Sequence, residues 1–539
     1  MIIDGAHVVV TDLTISFEPS PTIVPTAGAL NQHRWHRIEK DLYLHSGEKR
    51  AWLYVATKKE EELIPNDLIV TQVRIDERSS IDDPNSEWEG RPAGVWVQRR
   101  KYTENDLAVI DLDILFGIDA VDPRPRWTCL RHPLQLGMGA RTDIPVARLS
   151  VRHGRAKSRP DDPHIPTILR VRVDGKFKIV QISDTHMVTG VGVCRDAIDA
   201  HGNFLPPTVA DPLTVDFIGE VLDIENPDLV ILTGDQVHHD ILDCQSAIFK
   251  IIAPLIIRSI PFAAVFGNHD AEGTYALTRA SQMSLLKSLP LSLCRAGPAE
   301  VEGVGNYHLR VLSHTSQTPL ITLFFLDSHG QIQSTVQDPD YEAIKQSQID
   351  WFKSTSQTLR KAHVHNPDGE NSYHVSLVFM HIPFPEYGDS RLNIFGGQRR
   401  EPTEGPSFNS HFYDALVEEG VVAVGCGHDH VNDFCGLLPG TGSGESGEGH
   451  RGSSRFGPWL CYGGGSGFGG YGSYGENRYY RRVRVWEFDT DTGGVLTWKR
   501  VEYASGRVDE LVLVENGVIT PPSNMSDREA RGIVTHVEL

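Results

Sequence analysis

Five short polar clusters offer carboxylate, amide and imidazole groups, which bind metal ions when they converge. Imidazole and carboxylate ligands suit Zn²⁺, Fe and Mn²⁺, and the absence of thiolates among them argues against a structural zinc site. The clusters SDTH, TGDQ, GNHD, MHIP and GCGHDH supply the candidate ligands Asp184, His186, Asp235, Asn268, His381, His428 and His430. This set is too large for one tetrahedral ion and suits two ions about 3.5–4 Å apart that share a carboxylate.

The spacing inside two clusters favours shared ligation. In D-x-H and H-x-H on an extended segment, alternate side chains point to one face, so both can reach one ion. Each cluster alone has an ordinary alternative, because DTH and GD are also turn sequences and His381 can be a core histidine. The occurrence of all five clusters, each after an apolar run, favours metal binding.

The elements that must position these groups are predicted strands. KFKIVQIS ends at DTH, PDLVILT at GDQ, IPFAAVF at GNHD, HVSLVFM at HIP and GVVAVGC at GHDH. Helical patterns such as TVDFIGEVLDIEN and FYDALVEEG lie between them. Apolar strands covered by helices indicate a layered α/β fold, in which ligands bind beyond the carboxyl ends of strands.

The chain divides into three predicted regions. Residues 1–157 hold short β-branched and aromatic runs such as AWLYVATK, which predict a β-rich accessory domain. Residues 166–505 hold the five clusters, with a low-complexity flexible insertion at 440–457. Residues 506–539 predict a polar tail with one short strand, LVLVEN. The Gly-rich segment 461–475 lacks the phosphate-binding P-loop pattern and predicts tight turns.

Composition disfavours several classes of partner and location. The formal net charge of −20 disfavours nucleic acid and anionic membranes. The first residues do not predict a secretory signal, and no apolar stretch reaches the roughly 18 residues of a membrane span. Seven cysteines without a CxxC pair do not predict a disulfide framework. We therefore expect an intracellular, cytoplasmic protein without a membrane span.

The ordered motifs D-x-H, GD, GNHD, H and GHxH resemble the calcineurin-like metallophosphoesterase family over about residues 170–490. VLDIENPDLVILTGDQV, PFAAVFGNHD and YGGGSGFGGYG are similar to a fungal branch and to plant purple-acid-phosphatase-like proteins. The resemblance implies a layered β-sandwich flanked by helices and two divalent ions, of Mn, Fe or Zn.

The resemblance also implies a role for each site residue. By this resemblance, the first metal is bound by Asp184, His186 and His430. The second metal is bound by Asn268, His381 and His428. Asp235 bridges the two metals. His269 would contact the phosphate and protonate the leaving oxygen, while a metal-bridging hydroxide attacks phosphorus in line.

One residue of this chain departs from the purple acid phosphatases, and the carboxylate partner of His269 is left open by the sequence. Those enzymes have a metal-binding Tyr three residues after the GD aspartate, where this chain has His238. We therefore predict no tyrosinate colour and no obligate Fe(III). His269 needs an orienting carboxylate, and both Asp270 and Asp240 are candidates.

The predicted function is a dinuclear metal-dependent phosphatase acting on phosphomonoesters, with phosphoproteins as candidate substrates. A phosphodiesterase or nucleotide pyrophosphatase with the same metal core is an alternative, because the ligands do not separate these activities. A non-catalytic scaffold is less favoured, since the ligand set and His269 are complete. Residues 1–157 could recruit a substrate or partner.

Overall fold

The protein forms two compact units in a computed structural model. The residues that the structure describes are 8–19, 35–44, 49–76, 87–103, 107–135, 144–155, 167–334, 340–364, 373–439 and 456–521. One unit comprises Met1–Pro166, Thr189–Val191 and Gln245–Ala253, and the other comprises Thr167–Val188, Gly192–Cys244 and Pro254–Leu539. The first unit thus takes two short pieces from the region that the sequence analysis assigns to the second domain.

The described part of the first unit is β-rich, in agreement with the sequence. Its strands are β1 (Val8–Pro19), β2 (Trp35–Arg37), β3 (Lys49–Lys59), β4 (Leu68–Ile75), β5 (Trp88–Gly90), β6 (Val95–Lys101), β7 (Leu107–Phe116), β8 (Trp127–Cys129) and β9 (Ala147–Arg155). They form three antiparallel sheets of order β1-β3-β2, β4-β6-β5 and β7-β9-β8.

These three sheets repeat one pattern. In each sheet the strand that comes first in the chain pairs with the strand that comes third. That first strand carries a β-bulge near its start, at Val10/Asp12, Val70/Gln72 and Val109/Asp111. The strand that comes second in the chain is short in each sheet and begins with a tryptophan: Trp35, Trp88 or Trp127. Val9, Ile69 and Ala108, which hold matching positions in the three first strands, pack together in a buried cluster. The sequence analysis missed this internal repeat, because the three copies share a strand-pairing pattern but very few identical residues.

The second unit contains two seven-stranded sheets. The first has the order β12-β11-β10-β22-β23-β24-β25, built from β10 (Lys176–Ile182), β11 (Leu229–Thr233), β12 (Phe262–Val265), β22 (Arg482–Asp489), β23 (Gly494–Val501), β24 (Val508–Glu515) and β25 (Val518–Ile519). The second has the order β13-β14-β15-β17-β19-β18-β16, built from β13 (Tyr307–Leu312), β14 (Pro319–Phe325), β15 (Val375–Phe379), β16 (Asn393–Phe395), β17 (Ala423–Cys426), β18 (Cys435–Leu437) and β19 (Trp459–Tyr462). Strands β20 (Ser473–Tyr474) and β21 (Asn477–Arg478) pair with each other.

The two large sheets share a hydrophobic core. Inward residues of the first sheet, such as Ile179 and Ile231, cluster with residues of the second, such as Leu323 and Leu377. The described helices are α1 (Ala210–Glu225), α2 (Cys244–Ile257), α3 (Arg279–Ser288), α4 (Gln346–Val364) and α5 (Phe412–Glu418). Apolar residues of α4 and α5 cover the outer face of the second sheet. The predicted layered α/β sandwich flanked by helices is confirmed.

Parts of the C-terminal half differ from the prediction. Strands β24 and β25 lie within 506–539, so the first part of the predicted tail belongs to a sheet. Residues 522–539 and most of the predicted insertion at 440–457 lie outside the described residues. Among those described, no helix is both long and apolar enough to cross a membrane.

The structure contains a disulfide that the sequence analysis did not anticipate. Cys435 of β18 and Cys461 of β19 are directly opposite each other on antiparallel strands and are bonded. The other cysteines are not part of this disulfide. The pairing depends on strands that are distant in sequence, so cysteine spacing did not reveal it. Disulfides are rare in the cytosol, where thiols are kept reduced, so this bond runs against the predicted cytoplasmic location.

Candidate metal centre

The five clusters follow the carboxyl ends of five parallel strands in two sheets. In the first sheet, Asp184 follows β10, Asp235 follows β11 and Asn268 follows β12. In the second, His381 follows β15 and His428 follows β17. The apolar strands are buried, so the first polar residues after them emerge at one edge of the layers. This edge is where α/β proteins bind ligands.

The backbone at this edge adopts a conformation that side chains disfavour. Asp184, His186, Asp235 and His428 all have positive φ angles, of 55°, 46°, 50° and 77°. Such conformations cost on the order of 1–3 kcal/mol each and persist where the surrounding structure imposes them. Their concentration in the candidate ligands indicates that the loops are shaped to direct these side chains.

The structure brings the candidate ligands together as two buried groups. Asp184, His186 and His430 form one group and Asp235, His381 and His428 the other, with the ligand atoms of each group within 4.8 Å of one another. In the first group, His186 Nε2 lies 3.1 Å from His430 Nε2. In the second, His381 Nε2 lies 3.2 Å from Asn268 Oδ1, so the predicted amide ligand adjoins the same group.

Asp235 lies between the two groups. Its Oδ2 is 3.3 Å from His381 Nε2 and 3.7 Å from His186 Nε2. Its other oxygen, Oδ1, accepts the backbone N–H of His269 at 2.9 Å. A carboxylate in this position can face two ions at once while it also orients the neighbouring GNHD turn.

The chemistry of these side chains fits divalent metal ions. His428 Nε2 is buried without a hydrogen-bond partner among the described residues, as expected for an atom that faces a cation. Burial and neighbouring histidines hold the pKa of His186 and of His428 well below the usual value, and burial lowers that of His430 to about 3. These three imidazoles are therefore neutral, which is the form that binds metal. Burial would lower the pKa of His381, but Asp235 and Asp184 outweigh it and raise the pKa to about 9, so His381 must release a proton when it binds an ion.

The outer nitrogens of three of these histidines have partners that fix their orientation. His381 Nδ1 donates to Thr233 O at 2.8 Å and His430 Nδ1 donates to Tyr471 O at 2.9 Å. His186 Nδ1 lies 3.1 Å from His238 Nδ1. Each Nε2 is thereby left to face the centre, an arrangement typical of histidine metal ligands.

Comparison with known proteins identifies the family. Residues 177–432 match the family described as Calcineurin-like phosphoesterase. Phosphatase DCR2 from Saccharomyces cerevisiae is 34% identical over 420 residues, which cover 75% of this chain and 65% of that protein. Probable inactive purple acid phosphatase 29 from Arabidopsis thaliana is 34% identical over 359 residues, which cover 62% of this chain and 84% of that protein.

This chain belongs to the calcineurin-like phosphoesterase family. The predicted resemblance to this family is confirmed. The chain spans about two thirds (65%) of the length of the yeast phosphatase. Among solved structures, a dimetal phosphatase from Danio rerio aligns with 63% of this chain and 99% of its own, at 12% identity and a TM-score of 0.37.

In this phosphoesterase, the carboxylate partner of His269 is Glu272, which the sequence analysis did not consider. His269 Nδ1 lies 2.6 Å from Glu272 Oε2. The short turn His269–Ala271 reverses the chain, so that the side chain of Glu272 returns to the imidazole of His269. Burial alone would lower the pKa of His269, but Glu272 and Asp235 outweigh it and raise the pKa to about 9.

The two carboxylates that the sequence analysis proposed for His269 have other partners. Asp270 is buried and accepts the backbone N–H groups of Gly267, Asp235 and Val237 at 2.7 to 3.0 Å. Asp240 accepts the backbone N–H of Tyr275 at 3.1 Å. Asp270 therefore holds the GD and GNHD loops together, and the orienting role falls to Glu272.

The Gly-rich segment of the phosphoesterase packs against the ligands of the first group. A Cβ atom on Gly470 would lie 2.5 Å from His430 Cε1 and 2.8 Å from His186 Cδ2. One on Gly467 would lie 2.0 Å from the carbonyl oxygen of Thr185. Only glycine permits this approach, so the segment that we predicted to be a set of turns also supports the site. The tyrosine that follows, Tyr471, stacks on His430 at 3.9 Å between ring centroids.

Proposed function

We propose that this calcineurin-like phosphoesterase is a dinuclear metal-dependent phosphatase that hydrolyses phosphomonoesters, with phosphoproteins as candidate substrates. The observation that supports it is the position of Asp235 between two buried ligand groups, with its second oxygen on the backbone of His269. When bound, two divalent ions of Mn, Fe or Zn would neutralise phosphate oxygens and activate the attacking water.

The protein's own groups divide the remaining work. Asp184, His186 and His430 would hold one ion, and Asn268, His381 and His428 the other, with Asp235 shared. His269 is the proposed general acid: its Nε2 would give a proton to the leaving oxygen, while Glu272 at Nδ1 keeps the ring oriented and protonated.

The complete site also bears on the non-catalytic alternative. One relative is named a probable inactive purple acid phosphatase. In this chain the ligand set is complete, and His269 lies beside it with a carboxylate partner. A scaffold that only binds partners has no use for an oriented acid, so we favour turnover.

The experiment that tests the proposal compares two small substrates. We would load the purified protein with Mn²⁺ and measure hydrolysis of an aryl phosphomonoester and of the matching diester. A strong monoester preference is expected and would justify a screen of phosphoproteins. Diester preference would favour the phosphodiesterase or pyrophosphatase alternative. Hydrolysis of neither, also after loading with Zn²⁺ or Fe²⁺, would favour the scaffold.

We further propose that residues 1–157 form an accessory domain that recruits a substrate or partner to the phosphoesterase domain at 166–505. Deletion of residues 1–157 is expected to leave hydrolysis of the aryl ester intact and to impair hydrolysis of the physiological substrate. Unchanged activity on both would contradict this role. The intracellular, cytoplasmic location and the absence of a nucleic-acid partner stay predictions.

A further inference from the structure

Tyr471 holds His430, a ligand of the first group, at three points. The phenol ring stacks on the imidazole at 3.9 Å between ring centroids, with 9° between the ring planes. The carbonyl oxygen of Tyr471 lies 2.9 Å from His430 Nδ1, and the phenol oxygen accepts the backbone N–H of His430 at 3.1 Å. Contacts with one residue therefore set the plane of the imidazole, its rotation and the position of its backbone.

Glu401 holds the phenol of Tyr471 in turn. The phenol O–H donates to the carboxylate and lies 3.1 Å from both Oε1 and Oε2. Oε1 also accepts the backbone N–H of Val431, the residue after His430, at 3.0 Å. Glu401 is buried, and a buried carboxylate is costly unless donors surround it. Both of these donors belong to the immediate surroundings of His430.

Asn432 fastens Glu401 to the loop that carries His430. Its Oδ1 accepts the backbone N–H groups of Arg400 at 2.8 Å and of Glu401 at 3.2 Å. Its Nδ2 donates to the carbonyl oxygen of Glu401 at 3.1 Å, and the whole side chain is buried. Glu401 therefore keeps its place relative to His430, and the phenol between them is held from both sides.

We propose that Tyr471 and Glu401 are positioning residues that hold His430 in the orientation that binds the first metal ion. This inference rests on the ligand assignment of the proposed function. A histidine whose ring is already oriented loses less freedom when it binds an ion, and outer partners of metal ligands contribute about 10–100-fold in metal affinity. The tyrosine hydroxyl is needed because it accepts from one partner and donates to the other, which phenylalanine cannot do.

The test measures metal binding by the full-length protein without any substrate. The Mn²⁺-loaded protein is dialysed against buffers of decreasing free Mn²⁺, and elemental analysis gives the ions bound per chain. The variants are Tyr471→Phe, which keeps the ring, Glu401→Ala, and the conservative Glu401→Gln, which keeps an acceptor oxygen. Tyr307→Phe is the matched control, because the buried Tyr307 hydroxyl also accepts and donates, with the backbone of Ala264 at 3.1 and 2.9 Å. Tyr471→Phe is also measured in a His430→Ala background.

The parent is expected to bind two ions. Tyr471→Phe and Glu401→Ala should weaken the binding of one ion by about 10–100-fold and leave the other unchanged, and Glu401→Gln should recover much of the loss. Tyr307→Phe should bind both ions like the parent, even where it lowers the thermal unfolding temperature as much as Tyr471→Phe does. In the His430→Ala background, Tyr471→Phe should have no further effect, because the ligand that Tyr471 positions is already gone.

Four results would overturn the positioning role: a parent that binds no ion, unchanged binding in Tyr471→Phe, an equal loss in Tyr307→Phe, or a further loss in the His430→Ala background. If Glu401→Ala does not fold, Tyr471→Phe and Glu401→Gln decide the outcome. If the parent binds both ions and hydrolyses no phosphate ester, the proposed function fails. The dialysis still decides the role of Tyr471 and Glu401, since it involves no turnover.

Discussion

His269 Nδ1 and Glu272 Oε2 lie 2.6 Å apart, so the imidazole beside the metal centre is held by a carboxylate three residues later in the same turn. Both side chains are about one third exposed, so solvent can reach the pair. This contact gives the proposed general acid a fixed ring orientation and a protonated Nε2. Asp270 does not take this role, because its carboxylate accepts hydrogen bonds from three backbone N–H groups.

The His269–Glu272 contact predicts a dependence on the leaving group. Glu272→Gln keeps a hydrogen-bond acceptor but removes the charge that favours protonated His269, so proton donation should weaken. We expect kcat to fall roughly tenfold for phosphate esters of weakly acidic alcohols and little for esters of acidic phenols, which need no proton. Steady-state kinetics over a series of aryl and alkyl phosphates measure this slope. An equal loss for all esters would point to a merely structural role.

The position of Asp235 predicts which substitutions remove metal. Asp235→Asn should lose both ions and all activity, because the shared carboxylate faces both ligand groups. His269→Ala is the matched change at a residue whose backbone N–H contacts Asp235, and it should keep both ions and slow turnover by about 10²–10⁴-fold. Elemental analysis of the dialysed proteins measures the metal content. Loss of an ion from His269→Ala would show that His269 is a ligand, contrary to our assignment.

The glycine that contacts two ligands predicts a selective defect. Gly470→Ala places a methyl group against His430 and His186 and should displace the first ligand group. We expect the protein to retain about one ion of two, with activity lost. Gly475→Ala is a control in the same segment, since nothing lies near its added Cβ; its positive φ costs about 1 kcal/mol. Full metal content in Gly470→Ala would contradict the supporting role of the Gly-rich segment.

A buried ion cluster around Asp433 predicts that the stability of the fold falls at low pH. Asp433 lies 2.5 Å from Arg400 and 2.8 Å from Lys499, and it also contacts Arg482. Burial would raise the pKa of Asp433, but Lys499 and the two arginines outweigh it and hold the pKa well below 3.8. Because the pKa is lowered by folding, the contribution is fully present above the pKa of the unfolded chain and is lost as the pH falls toward the folded value.

Asp433→Asn should therefore lower the free energy of unfolding at pH 7 by about 3–5 kcal/mol, because buried cations lose their counter-charge. Urea unfolding followed by tryptophan fluorescence measures this loss, which should shrink as the pH drops below 4. Glu418→Gln, which breaks the exposed pair with Lys353, is the control and should change little. A loss of similar size in both variants would contradict the cluster's role.

Much of the site could be predicted because its ligands follow local rules. Short apolar runs ending in polar residues predict the ends of buried strands, and parallel strands bring those ends to one edge of a sheet. Asp184, Asp235, Asn268, His381 and His428 each follow such a run, and the structure brings them together. These positions depend only on strand ends, which the local sequence determines.

The residues that the sequence analysis missed depend on contacts across the fold. The choice of Glu272 over Asp270 and Asp240 follows from the φ and ψ angles of one short turn and from backbone donors on another strand's loop. The close approach of Gly470 to His430 and the Cys435–Cys461 bond require segments that are separated in sequence to pack in one register. The threefold pattern of the first unit also depends on the pairing of strands that are separated in sequence.

The sequence by itself therefore determined the ligand types, their order and the layered α/β class, because local polarity and periodicity encode strands and their ends. Only the tertiary structure decided which carboxylate serves His269 and which glycines pack against the ligands. These depend on distances between side chains that are far apart in the chain, and those distances are set by the packing of the whole unit.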